Sequence, residues 1–144
     1  MAEAERSVEV NVPPKALYDV IVDFERYPDF IPENKAVRIL SQTKTTMEAA
    51  FEVSLIKKVN YTILLQMKPG KEVSWTLKEK GFFKVNDGKW TLEPIDGGKR
   101  TKATYWVKID MGLVPGAILK TLLEVNFPKM LGQFKHRAES LYKA

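Results

Sequence analysis

The chain has no cysteine and only one histidine in 144 residues. The first absence removes structural disulfides, thiol nucleophiles and cysteine-rich metal sites. Together the two leave no zinc-ligand pattern. The lone His136 falls on a helical face opposite that helix's apolar stripe, so it is expected to face solvent rather than a catalytic centre. Phosphate-cradling loops are missing as well: there is no GxGxxG or Walker-type motif, and Asp96-Gly97-Gly98-Lys99 reads only as a turn. The longest apolar stretch with no charged residue, Met111 to Leu119, is too short to span a bilayer. No apolar run follows a basic start at the N-terminus, and the expected location is the cytoplasm. No cofactor is implied.

What is present is ordinary globular material: 44% hydrophobic and 28% charged residues, enough for one domain over residues 1–144 with its own core. The net charge is +5 and the pI about 9.3. The lysines are scattered, as in Lys57-Lys58, Lys78-Glu79-Lys80 and Lys99-Arg100-Thr101-Lys102, with no long basic block and no aromatic interleaving. They read as solvated strand faces and turn tips; the functional alternative is a weak attraction to anionic lipid headgroups or RNA phosphates.

The stretch that organises the chain is Pro115 to Ala144, read as one long helix. At about 100° per residue, Leu119, Leu123, Phe127, Met130, Phe134, Ala138 and Leu141 share one stripe. Pro128 removes a backbone bond in the middle and is expected to bend or restart the helix. Upstream, Val8, Val10 and Val12 alternate with polar residues as a half-buried strand, stopped by Pro13-Pro14. Leu17, Val20, Ile21 and Phe24 then keep helical spacing, and a second short helix is expected over Glu25 to Ile31. From Lys35 the period is two. Strands are predicted around Val37-Ile39, Met47-Leu55, Val59-Met67, Val73-Leu77, Phe82-Glu93 and Ala103-Ile109. Phe83 and Val85 differ in parity from Trp90 and Leu92, which predicts a bulge near Asn86-Asp87-Gly88. Short turns at Pro69-Gly70 and Asp96-Gly97-Gly98 make the strands consecutive and antiparallel. The class is α+β: a curved antiparallel sheet of about seven strands wrapped around the C-terminal helix, with two short helices after the first strand.

Three motifs carry a resemblance. They are Val12-Pro13-Pro14 leading through Leu17-Tyr18-Asp19-Val20-Ile21 to Asp23-Phe24-Glu25-Arg26-Tyr27-Pro28-Asp29-Phe30-Ile31-Pro32; Gly81-Phe82-Phe83 with Gly88-Lys89-Trp90-Thr91-Leu92-Glu93-Pro94; and Pro128-Lys129-Met130-Leu131 with Phe134-Lys135-His136-Arg137-Ala138-Glu139. In these the chain resembles the START-like (SRPBCC) helix-grip superfamily, in particular its polyketide cyclase/dehydrase-like and coenzyme Q-binding branch. The resemblance implies a hollow between sheet and helix that takes a hydrophobic ligand. One departure stands out: the quinone-binding branch usually follows the proline at Pro32 with tryptophan and cysteine, and here Glu33 and Asn34 follow.

By strand and helix parity the inward set is Phe51, Val53, Tyr61, Ile63, Trp75, Trp90, Tyr105, Val107, Leu123, Phe127, Met130 and Phe134. Two readings of it stand open: a close-packed core, or an apolar pocket with a few polar handles. Tyr61 and Tyr105 are the handles to examine first, while Glu48, Glu52 and Glu93 face away. No catalytic or metal-binding residue is assigned. Gly112 to Gly116 is expected at the entrance, with Leu113 and Val114 able to touch a membrane during transfer or to tuck over the core. The expected function is binding and transport of a lipid-, isoprenoid- or quinone-like molecule. The alternatives are a polyketide cyclase or dehydratase, and, since a branch of the superfamily resembles a toxin that blocks ribosome association, a ribosome- or RNA-interacting protein.

Overall fold

The computed structural model describes residues 2–54, 57–112 and 114–142. Strands β1 (Ala2–Val10), β2 (Asn34–Gln42), β3 (Thr46–Ser54), β4 (Lys58–Lys68), β5 (Glu72–Leu77), β6 (Val85–Ile95) and β7 (Arg100–Asp110) form one antiparallel sheet. The order across it is β1-β7-β6-β5-β4-β3-β2. Consecutive hairpins build β2 to β7, and the N-terminal strand closes on the last one, with Val10 opposite Thr101 and Ala2 opposite Ile109. The two edges, β1 and β2, are therefore joined by the segment that must cross the whole sheet: helix α1 (Pro14–Val22) and a 3-10 turn at Phe24–Asp29. Proline is suited to the first turn of α1, where its missing N–H has no partner to lose.

Alternation gives the sheet one apolar face. Met47, Ala49, Phe51 and Val53 on β3, Ile63, Leu65 and Met67 on β4, and Ala103, Tyr105, Val107 and Ile109 on β7 are buried beneath the helices. Register shifts in β2, between Asn34 and Ala36 and between Ile39 and Ser41, mark irregularities of the kind that bend an edge strand. The β6–β7 hairpin turns through Asp96, Gly97 and Gly98, all at positive φ, where two glycines avoid the Cβ penalty.

Three sequence expectations are corrected here. First, β6 carries no bulge: it starts at Val85, pairs with β7 without a break from Val85–Asp110 to Ile95–Arg100, and leaves Phe82 and Phe83 in the preceding loop. The parity change lay at the strand's start, not inside it. Second, the C-terminal helix is not uniform. Helix α2 (Gly116–Thr121) passes through a π-turn at Leu122–Asn126 into α3 (Phe127–Leu141). Phe127 N–H donates to the Leu122 carbonyl, one residue further back than an α-helix allows. Pro128, which lacks an N–H, follows directly, and widening the preceding turn accommodates its ring. The extra residue rotates the stripe, so Leu122 is buried where Leu123 was expected. Third, Leu141 ends the helix 56% exposed and contributes nothing to the core. The expected inward position at Leu55 and the apolar tip at Leu113 lie outside the described residues.

Helix α3 is fastened to the end of β1 by a small polar clamp. Glu139 Oε2 accepts from Lys135 Nζ at 2.6 Å and from the Asn11 backbone N–H at 2.8 Å, while Lys135 also donates to the Glu9 carbonyl at 2.9 Å. Partial burial opposes ionisation of Glu139, but Lys135 and Asn11 outweigh it and hold the carboxyl below its usual range. A depressed carboxylate pKa gives stability above the unfolded-state value, lost as pH falls through the folded one. Glu139→Gln should therefore lower stability by about 1 kcal/mol at neutral pH, the surface location limiting the effect. Thermal melts of variant and wild type should converge below about pH 4.

Candidate ligand cavity

Between the sheet's apolar face and the helix lies a cavity of about 150 Å³. The parity of β3 brings Phe51 and Val53 to it, β4 brings Tyr61 and Ile63, β5 Trp75, β6 Trp90, and β7 Tyr105 and Val107. From above, Phe127, Met130 and Phe134 close it. Of the residues expected there from sequence, Leu123 alone is not brought in. The π-turn sends it aside, against the periphery of the core, and puts Leu122 in its place.

The walls are a connected aromatic network. Phe51 and Tyr61 stack in parallel with centroids 5.2 Å apart, and Phe83 meets Tyr61 edge-on at 5.1 Å. Tyr105 sits at the centre, 4.9 Å from Trp90, 5.6 Å from Trp75 and 5.9 Å from Phe127. Phe134 joins this group to the 3-10 turn through Trp90, Tyr27 and Phe30, at 5.1, 5.3 and 5.2 Å. Edge-to-face geometry of this kind favours defined ring positions over loose collapse.

Polar groups are few. Tyr27 donates its hydroxyl to the Ile21 carbonyl at 2.5 Å, fixing the crossover segment. Trp75 Nε1 donates to Asn86 Oδ1 at 3.2 Å. Asn86, 7% exposed, was expected in a bulge; counting back by two from Trp90 through Gly88 is the signal that finds it. Gly88, the next inward position, leaves no empty space. The Trp75 ring lies where a Cβ would project. Among the described residues the hydroxyls of Tyr61 and Tyr105 have no protein hydrogen-bond partner, and both face the cavity. Burial pushes both well above the usual tyrosine range, and for Tyr105 the nearby Tyr61 adds to it.

A raised tyrosine pKa gives stability that is complete below the unfolded value near 10 and declines as pH rises past it. In an absorbance titration at 295 nm, Tyr27, Tyr61 and Tyr105 should stay un-ionised while the fold persists. They should then titrate together with alkaline unfolding, Tyr27 being held up chiefly by burial as well.

Sequence periodicity gave no hint of Glu33, Asn34 or Asn126, which also line the cavity. Glu33 follows Pro32 in a connection without a repeat, Asn34 opens β2 just before a register shift, and Asn126 ends the π-turn. Ile21, Phe24, Tyr27 and Ile31 come from the crossover segment and complete one wall. Among the described residues no lysine, arginine or histidine lines the chamber. Gly112, Val114, Pro115 and Gly116 do not line it either, and Val114 is half-buried against the core. His136 is exposed. Among the described residues there is no cluster of three or more metal-ligating side chains, and no helix is long and apolar enough to cross a membrane.

The sequence profile for polyketide cyclase / dehydrase and lipid transport proteins matches residues 10–135. The chain belongs to this family. Its fold is the START-like helix grip. An aromatase/cyclase named Zhui from a Streptomyces species superposes with a TM-score of 0.88 at 18% identity, covering 99% of this chain and 96% of that one. A START superfamily protein from Mycobacterium smegmatis gives 0.84 at 19% identity, over 97% and 99% of the two chains. Among curated proteins, the ribosome association toxin RatA of Pseudomonas aeruginosa is 30% identical over 145 aligned positions, 96% of each chain.

Proposed function

We propose that this family member binds and carries a small hydrophobic molecule, lipid- or isoprenoid-like, in the chamber between sheet and helix. The observation that carries the reading is the chamber itself: aromatic walls with a few unpartnered polar groups, the usual make-up of a small-molecule site. An apolar cavity of roughly 150 Å³ is large enough for one benzene-sized ring. A longer guest would seat one ring or a few isoprenoid carbons there and extend past Met130, whose flexible thioether yields readily. Burying about 200 Å² of apolar guest surface gains roughly 5 kcal/mol before the costs of association. With one histidine in the chain and no lysine, arginine or histidine among the described lining residues, the arrangement favours holding a guest over transforming it. Cytoplasmic location and transient contact with a membrane surface belong to the same proposal.

The test is native mass spectrometry of protein purified without organic solvent. A mass excess that disappears on denaturation is expected, and Val107→Phe, which fills the chamber from β7, should abolish it while leaving a cooperative melt. Protein that is always at its bare mass, in wild type and variant alike, would count against the reading.

A second reading rests on the named relative and on the +5 charge: contact with ribosomal particles through the basic exterior. Co-sedimentation that weakens steeply between low and moderate salt would support it, since phosphate contacts release counterions.

A further inference from the structure

Glu33 is half-buried at the wall of the chamber. Its Oε2 is fully enclosed and has no hydrogen-bond partner, the one fully enclosed side-chain N or O atom of that kind among the described residues. The backbone on both sides is fixed: the Glu33 carbonyl accepts from Ser54 N–H at 2.8 Å, and Asn34 N–H donates to the Ile31 carbonyl at 3.0 Å. Glu33 lines the chamber, and among the described residues no lysine, arginine or histidine lines it with Glu33. Other partly buried carboxylates have a lysine beside them, as Glu48 has Lys78 at 2.9 Å and Glu139 has Lys135 at 2.6 Å. One oxygen of this carboxylate lacks a protein donor, and a guest that brings a donor to the carboxylate offsets the cost of holding it at an apolar wall.

We propose that Glu33 is the specificity determinant of the chamber, selecting guests that carry a hydrogen-bond donor, a hydroxyl or a protonated amine, on an apolar body about one ring wide. This rests on the chamber being a ligand site, and it goes further by naming the guest's polar group. Asn34 and Asn126, which line the same space, suit a polar end of the guest there, and the aromatic walls suit its apolar body. Aromatic faces also favour a cation in the amine case.

Three one-ring probes separate the terms: toluene, 4-methylphenol and benzylamine, titrated into the protein and followed by NMR shifts of chamber residues. Toluene leaves water most readily, so apolar burial alone would rank it first. The expected result is that 4-methylphenol or benzylamine binds about tenfold or more tightly than toluene, as a hydrogen bond to a charged group provides. Glu33→Leu should erase that preference and leave toluene affinity within about twofold. Glu33→Gln distinguishes the donors: it retains an acceptor for the phenol and removes the countercharge for the amine. A donor preference that survives Glu33→Leu, or toluene binding wild type as well as the other two, would overturn the role of Glu33 while the chamber stands. Failure of all three probes to bind wild type would remove the chamber as a ligand site, and this inference with it.

Discussion

Phe134→Ala should lower the stability of the protein by about 3–5 kcal/mol, the usual cost of emptying a buried phenylalanine site. The ring is 2% exposed and is the point where the helix, the sheet and the crossover segment meet. It touches Trp90 on β6 at 5.1 Å, Tyr27 at 5.3 Å and Phe30 at 5.2 Å, so one truncation removes contacts on three elements. Collapse into the gap is restrained because Tyr27 is tied to the Ile21 carbonyl and Trp90 is held by the sheet. For a chain of this length the loss corresponds to a fall in thermal midpoint of roughly 10–15 °C. Scanning calorimetry reads it directly. A fall of only two or three degrees would mean that the helix is not anchored through this residue.

Gly88→Ala is the second large effect, and it acts by intrusion instead of loss. Gly88 faces Trp75 across the β5–β6 pairing, and the indole lies over the glycine's Cα. A methyl there falls well inside van der Waals contact with the ring, so the indole must swing away. That breaks its 3.2 Å bond to Asn86 and its packing on Tyr105, at a cost of about 1–3 kcal/mol. The displaced ring has the chamber beside it. Guest capacity should therefore fall more than stability does, and the tryptophan emission should shift as one of the chain's three indoles changes surroundings. An unchanged spectrum with unchanged guest binding would show that Trp75 does not rest on Gly88 in solution.

The strands were legible because their alternation is strict: Met47 to Val53 and Ala103 to Ile109 each place every second residue inward without exception. The aromatic walls followed from the same rule, including Tyr61 and Tyr105 as inward polar groups. Periodicity failed where the period itself changed. The π-turn adds one residue per turn and moved Leu122 into the place of Leu123, and a constant 100° step cannot register that, although Pro128 marked the neighbourhood. In β6 the apolar Phe82 and Phe83 masked the strand's true start, hiding inward Asn86. Glu33 was invisible for a different reason. It sits in a connection after Pro32, where only the fold decides which way a side chain points, and carboxylates are expected outside. The site's apolar part is thus written in the sequence pattern, and its polar part depends on the tertiary structure.

The most direct test of a hollow, guest-accepting interior is a crystal pressurised with xenon, which enters dry apolar cavities of this size. The prediction is a xenon peak bounded by Trp75, Tyr105, Phe127 and Met130, absent in Val107→Phe. Side chains meeting across that space with no xenon between them would contradict it.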